Sequence, residues 1–133
     1  MEYIVTKVRK PSTILIKDEH LFKALFSNIH DILGLHSHFL KELEIIMKDY
    51  NPHMTKLSGV MLTHLFHREN FKQVYTKYCY EYKNTDQAIK IATEKSQHFA
   101  DHLKKLGLTT LNLSLESYMI KPVQRICKYR LIV

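Results

Sequence analysis

The sequence has few of the residues that break helices or crosslink chains. It contains three glycines, three prolines and two cysteines in 133 residues. All-β folds need many turn residues, so this scarcity favours long helices. Cys79 and Cys127 are too few for a disulfide scaffold and fit a reducing compartment as free thiols. No apolar run approaches the roughly eighteen residues of a membrane span, and the N-terminus lacks a signal-peptide core. We therefore expect one helical, cytoplasmic domain.

The charge balance is basic. Lysine and arginine number 20 against 13 acidic residues, which gives a net charge of +7. A surplus of this size suggests an acidic partner, which would be nucleic acid, an anionic membrane surface or an acidic protein. The need for a charged, soluble surface explains this basic surplus equally well.

Apolar residues recur at three and four positions in four stretches, which predicts four helices. Asp18 and Glu19 suit the start of the first helix, and Asn51-Pro52 its end. Any residue of 84–86 could cap the third helix, and Gly107 fits its C-terminal stop. Residues 108–114 then read as a connector. The four stretches are about 18–50, 55–82, 84–106 and 115–133.

Each stretch must bury its apolar stripe against the others, so the fold is predicted to be an elongated, all-α helical bundle. The core candidates of the first three stretches are Phe22, Leu25, Phe26, Ile29, Ile32, Leu33, Leu40, Leu43, Ile46, Leu57, Val60, Met61, Leu65, Phe71, Val74, Tyr78, Ala88, Ile91, Phe99 and Leu103.

The fourth stretch has two distinct faces at about 100° per residue. Its apolar seam comprises Leu115, Met119, Pro122, Ile126, Tyr129 and Val133. Its opposite, polar face comprises Ser117, Lys121, Gln124 and Lys128. The seam keeps its phase across Pro122, which favours one helix bent at the proline. The alternative is a helix that begins with Pro122 as its first residue.

Nine histidines raise the question of a metal or catalytic site. The pairs His64/His67 and His98/His102 each share a helix face. Zinc normally needs a third protein ligand at a recognisable spacing, and no HExxH motif occurs. Residues 36–38, His-Ser-His, lack the oriented third group of a catalytic triad. No glycine-rich phosphate loop is present. We therefore expect no metal, no cofactor and no bond chemistry.

The aromatic and basic run at 70–83 could stack bases and bind phosphates. Phe71, Val74 and Tyr78 have core spacing, however, with Tyr75 and Tyr82 beside them. A packed helix is the better interpretation, and we expect no nucleic-acid partner. The polar face of the fourth stretch lies beside apolar Ile120 and Leu131. Such a mixture is what a protein-binding surface needs.

The residues "LESYMIKPVQRICKYRLIV" (115–133) resemble the third conserved region of the Dbl-homology domain of Rho guanine-nucleotide exchange factors. The core "IKPVQRICKY" is long and unusual. Residues 25–44 and 71–89 resemble the first and second conserved regions in the expected order, and Lys10-Pro11 fits as well. The resemblance spans essentially the whole chain and implies the same helical bundle.

The resemblance implies that the chain accelerates GDP release from a Rho-family small GTPase. In that family the domain packs against both switch regions and stabilises the nucleotide-free state, with no bond made or broken. Gln124 and Lys128 match positions that contact the second switch, and Ser117 matches a neighbouring contact. Lys121 shares their face. Arg125 matches a position interpreted as structural.

The sequence also departs from the family pattern. Arg130 stands where the family has a proline. The glutamate that contacts the first switch would fall before Met1, because Glu2 has the wrong spacing. The family's last helix usually continues and leads into a pleckstrin-homology domain. We therefore expect a Dbl-homology domain, 1–133, that is incomplete at both ends.

Two alternatives remain open at this stage. The chain could bind a GTPase or scaffold without driving exchange. Alternatively, the basic charge could serve nucleic acid or peripheral association with a membrane surface.

Overall fold

The computed structural model describes residues 17–109 and 113–132, and every regular element in these ranges is helical. The prediction of an all-α bundle is confirmed. Lys10-Pro11 and Val133 lie outside the described residues. The elements are α1 (Glu19–Phe26), α2 (Ile29–Lys48), α3 (Leu57–Met61), a π-helical turn (Leu62–Phe66), α4 (Phe71–Tyr82), α5 (Thr85–Lys95), α6 (Gln97–Thr109), α7 (Leu115–Met119) and α8 (Lys121–Ile132).

The first predicted stretch begins where expected but contains two helices in place of one. The Asp18 carboxylate accepts hydrogen bonds from the backbone N–H groups of His20 and Leu21, at 3.0 and 3.2 Å, and so caps α1. The prediction of one helix over 18–50 is wrong because Ser27 has φ 45° and ψ −130°, which no α-helix accommodates. The chain turns there and restarts at α2, which ends three residues before Asn51.

The second and third stretches are also interrupted. Residues 55–82 contain α3, the π-helical turn and α4 in place of one helix. Residues 84–106 are interrupted at Ser96, whose extended backbone ends α5. Gly107 is not a helix stop, because α6 continues through it to Thr109. Residues 110–112 of the predicted connector lie outside the described part.

The fourth stretch is divided into two helices at a position two residues before its proline. Ile120 separates α7 from α8 and keeps right-handed helical dihedral angles. Its N–H donates to the Glu116 carbonyl and its carbonyl accepts from the Gln124 N–H, both at 3.0 Å. The single helix bent at Pro122 is therefore replaced by two helices joined through Ile120. Pro122 is the second residue of α8, so the alternative prediction is also off by one position.

The core lies where α1, α2, α4, α5 and α7 meet. α1 packs on α5, α2 on α4 and the π-helical turn, and α5 on α7. Leu25, Leu65 and Phe99 are fully buried. Some predicted core residues are exposed, notably Leu40 and Leu57 at 54% and 47%. Tyr75, expected only beside the stripe, is buried. No helix within the described residues is long and apolar enough to cross a membrane.

Candidate protein-binding groove

An open groove of about 860 Å³ runs between α2 and α8. Both helices contribute amphipathic faces, so the walls differ in chemistry. The α2 wall and the neighbouring α3 are mainly apolar, with Leu33, Leu40, Leu43 and Leu57 among the lining residues. The α8 wall carries polar and basic side chains. Such a surface suits a protein partner, since apolar contact and hydrogen bonding are available side by side.

Three of the four predicted site residues lie together on the α8 wall. Lys121, Gln124 and Lys128 line the groove and are exposed. They follow one another at three and four positions, so they form one ridge along α8. We call these three residues the polar edge.

Ser117 lies apart from the polar edge. It belongs to α7, is half-buried, and is not among the lining residues of the groove. Its hydroxyl lies 3.0 Å from the Ser114 hydroxyl, and its N–H donates to the same Ser114 oxygen at 3.2 Å. Ser114 caps α7, so Ser117 takes part in starting that helix.

The floor of the groove joins three helices through one histidine. His36 Nε2 of α2 lies 2.5 Å from the Tyr75 hydroxyl of α4. His36 Nδ1 lies 3.4 Å from the Tyr129 hydroxyl of α8. Burial, aided by the charge of Arg125, lowers the pKa of His36 below its ordinary value of 6.5. The imidazole is therefore neutral at physiological pH and can accept one hydroxyl proton.

Arg125 supports the packing of α8 from outside. Its guanidinium carbon lies 5.0 Å from the centre of the Tyr129 ring, within cation–π range. This contact agrees with the structural role that the resemblance implies for Arg125. Arg125 also lines the groove with Lys121 and Lys128, and none of the described lining residues is acidic. The α8 wall is therefore electropositive and suits an acidic partner surface.

The joint between α7 and α8 is bonded to α4. The Tyr78 hydroxyl donates a buried hydrogen bond of 2.6 Å to the Met119 carbonyl. Tyr78 and Met119 are each only 1% exposed. Burial raises the pKa of Tyr78 above its ordinary range, so the hydroxyl keeps the proton that it donates.

Two histidines outside the groove, His38 and His64, make structural contacts. His64 Nδ1 lies 3.3 Å from the Glu42 carboxylate, and Arg68 Nη2 lies 2.7 Å from the same oxygen. His38 is 3.6 Å from Glu42, one turn away on α2. This cluster ties α2 to the segment after α3. No group of three or more metal-ligating side chains occurs among the residues that the structure describes.

Comparison with known proteins assigns the chain to a family. The model of the RhoGEF domain family matches residues 1–133. The chain belongs to the RhoGEF domain family. This RhoGEF domain is 33% identical over its whole length to the myosin-M heavy chain of Dictyostelium discoideum. It is 34% identical, over 86% of its length, to the phosphatidylinositol 3,4,5-trisphosphate-dependent Rac exchanger 1 protein of Mus musculus.

A third relative is the Rho guanine nucleotide exchange factor 4 of Homo sapiens, at 28% identity over 98% of the chain. The RhoGEF domain described here spans 7% of the first two relatives and 18% of the third. No solved structure matches the chain.

Sequence reasoning missed the residues that support the groove from below. The sequence presents His36 only as part of a possible triad, and Tyr75 only as a neighbour of the core stripe. Both sit between helices that are distant in sequence, so a single-helix period does not reveal them. The available signal was the three-residue spacing of Tyr75 and Tyr78, which places both side chains on one face of α4.

Proposed function

We propose that this chain promotes the release of GDP from Rho-family small GTPases. It binds the switch regions of the GTPase and stabilises the nucleotide-free state. The observation that carries this proposal is membership of the RhoGEF family over 1–133, combined with an exposed polar edge on the helix that bears the family's most specific motif.

The polar edge is the part of the chain that we assign to the second switch. The side chains of Gln124 and Lys128 extend into solvent one turn apart, so both can reach the same segment of a partner. Lys121 extends this edge toward the joint with α7. Ser117 lies apart from the polar edge and takes part in starting α7, so the contact that we propose for it is separate from that edge.

The proposed mechanism is coupling between two binding events. A domain that binds nucleotide-free GTPase more tightly than GDP-bound GTPase must weaken GDP binding by the same factor. Each tenfold weakening requires about 1.4 kcal/mol of differential contact. No covalent step is needed, so the relevant residues are those that contact the partner.

The test follows release of a fluorescent guanine nucleotide from preloaded Rho and Rac proteins. We expect the chain to accelerate release, and Gln124→Ala/Lys128→Ala to reduce that acceleration by about tenfold or more, as loss of central contacts does. Gln73→Ala/Lys77→Ala is the matched control. It removes the same residue types at the same spacing from the exposed face of α4.

Three outcomes distinguish the candidates. Loss of acceleration in the first double variant alone supports the proposal. Binding of nucleotide-free GTPase without release would instead indicate a non-catalytic GTPase-binding module. The exchange proposal is wrong if neither this chain nor a version extended at both ends accelerates release.

We extend the proposal to the cellular setting. A domain of this kind acts on its GTPase in the cytoplasm, where recruitment to a membrane and an adjoining pleckstrin-homology domain would bring it to its substrate. Fractionation of cells expressing the full open reading frame tests this expectation, which fails if the protein is absent from both the cytosolic and the peripheral membrane fractions.

A further inference from the structure

The joint between α7 and α8 has an unusual hydrogen-bond arrangement. Pro122 has no N–H, so it cannot donate to the Tyr118 carbonyl as a helical residue would. One position further along, the Met119 carbonyl accepts the Tyr78 hydroxyl at 2.6 Å. A side chain of α4 therefore bonds to the backbone at the point where the ladder is interrupted.

Helix α4 is itself held by hydrogen bonds on both sides of Tyr78 in sequence. The Asn28 amide donates to the Val74 carbonyl at 3.0 Å, and the Ser27 hydroxyl donates to the Glu81 carboxylate. Both bonds attach α4 to the turn between α1 and α2. Tyr78 lies between these two attachments along α4, so its hydroxyl is presented from a fixed position.

Every residue of the polar edge follows the joint in sequence. Lys128 lies nine residues beyond Met119, which is about 13 Å along a helix at a rise of 1.5 Å per residue. A rotation of about 5° at the joint therefore moves Lys128 by about 1 Å. A small change in the direction of α8 is enough to spoil contacts that require hydrogen-bond geometry.

We propose that Tyr78 is a positioning residue for nucleotide exchange, since its hydroxyl sets the direction of α8 and with it the polar edge. Tyr78 is buried and does not itself touch the GTPase. This inference rests on the proposed function, because it assigns a role to the polar edge in exchange.

The first test compares exchange rates of hydroxyl variants. Tyr78→Phe removes only the oxygen. We expect the maximal rate of nucleotide release to fall about tenfold, with a smaller change in the GTPase concentration that gives half of this rate. Tyr82→Phe is the control, because it removes a hydroxyl from the ring that stacks on Tyr78 at 6.5 Å between centroids and leaves the bond between Tyr78 and Met119 in place. The inference is overturned if both variants behave alike.

A donor-retaining variant separates positioning from packing. Replacement of Tyr78 by p-aminophenylalanine keeps a hydrogen-bond donor at nearly the same place. We expect it to restore the wild-type release rate, and it remains informative should Tyr78→Phe fold poorly. A rate as low as that of the phenylalanine variant, in a protein with the wild-type melting temperature, contradicts the inference.

The second test measures the direction of α8 without any GTPase. Spin labels are placed at Lys90 of α5 and Leu131 of α8, both exposed, in a background in which Cys79 and Cys127 are serine. We expect double electron–electron resonance to give a narrow distance distribution for the wild-type Tyr78 background and for Tyr82→Phe. Tyr78→Phe should broaden or shift it.

The two tests together distinguish an error in the proposed function from an error in the positioning role of Tyr78. If the chain has no exchange activity but Tyr78→Phe still changes the distance distribution, the proposed function is wrong and the positioning of α8 by Tyr78 stands. If exchange is present and the distribution is the same for Tyr78→Phe and the control, the positioning role is wrong and the proposed function stands.

Discussion

Two interruptions of predicted helices show how a third helix decides where a chain turns. Ser27 separates α1 from α2, and Ile120 separates α7 from α8. Both interruptions are hydrogen-bonded to α4, the first through Val74 and Glu81 and the second through Tyr78. The first turns the chain through a positive φ, whereas the second keeps helical dihedral angles and helical hydrogen bonds on both sides of Ile120.

The difference has a functional counterpart. The turn at Ser27 lies between the core residues Phe26 and Ile29 and precedes the apolar α2 wall of the groove, which carries no residue of the polar edge. The joint at Ile120 lies immediately before the polar edge. Substitutions that disrupt the turn at Ser27 should therefore lower stability most. Substitutions that disrupt the joint at Ile120 should affect nucleotide exchange more than stability.

The largest stability effect is expected for Asn28→Ala. Asn28 is 6% exposed and its amide donates to the Val74 carbonyl at 3.0 Å. Loss of this bond should lower the free energy of unfolding by about 2 kcal/mol, as measured by urea denaturation. Asn84→Ala, at an exposed position, should change it by less than about 0.5 kcal/mol. Equal effects would mean that the α1–α2 turn does not depend on α4.

A smaller loss is expected for Tyr78→Phe. The buried Met119 carbonyl would lose the donor that α4 supplies, which should cost about 1.5 kcal/mol in the same urea experiment. Because this loss is modest, the variant should remain folded while its exchange rate falls. A stability loss equal to or above that of Asn28→Ala would remove the distinction between the two interruptions.

Backbone strain at Ser27 can be separated from its hydrogen bond by two substitutions. Ser27→Ala and Ser27→Gly both remove the hydroxyl that donates to Glu81. Only glycine adopts φ 45° without a steric cost, so the glycine variant should be more stable than the alanine variant by about 1 kcal/mol. Thermal unfolding of the two variants gives the comparison, and an alanine variant at least as stable as the glycine variant would argue against strain there.

The smallest expected effect concerns pH. The pKa of His36 is lowered in the folded state, by burial and by Arg125. Below about pH 6.5 the unfolded chain binds a proton that the folded chain takes up only at lower pH, so stability should fall as the pH decreases through this range. His36→Gln should reduce the change in urea midpoint between pH 7.5 and pH 5.5. An unchanged pH dependence would show that His36 does not contribute.

The comparison also shows what the sequence could predict. Periodicity predicted helices throughout and most of the core, because each stripe reflects burial within one helix. It could not predict the break at Ser27, because the turn there depends on contacts with α4 that are distant in sequence. Ser27 bonds to Glu81 across 54 residues and Asn28 bonds to Val74 across 46. Pro122 did indicate an interruption near Ile120, but it could not reveal the bond from Tyr78 to the Met119 carbonyl at this joint. Three site residues, Lys121, Gln124 and Lys128, were found from their shared face and do line one groove.

Ser117 shows the limit of the same reasoning. It shares the helical phase of the polar edge, yet it precedes the interruption and its hydroxyl lies beside the cap of α7. Counting 100° per residue across the joint assumes that α7 and α8 share one helix axis. Residues on opposite sides of the joint therefore cannot be assigned to one surface from their spacing in sequence alone.

The most direct test of the account measures the affinity of the chain for one Rho-family GTPase in two states, nucleotide-free and GDP-loaded. Coupling requires that the chain bind the nucleotide-free form more tightly, by the same factor by which it weakens GDP binding. We expect at least about a tenfold preference, equivalent to about 1.4 kcal/mol, which Gln124→Ala/Lys128→Ala reduces and Gln73→Ala/Lys77→Ala preserves. Equal affinity for the two states would contradict the account.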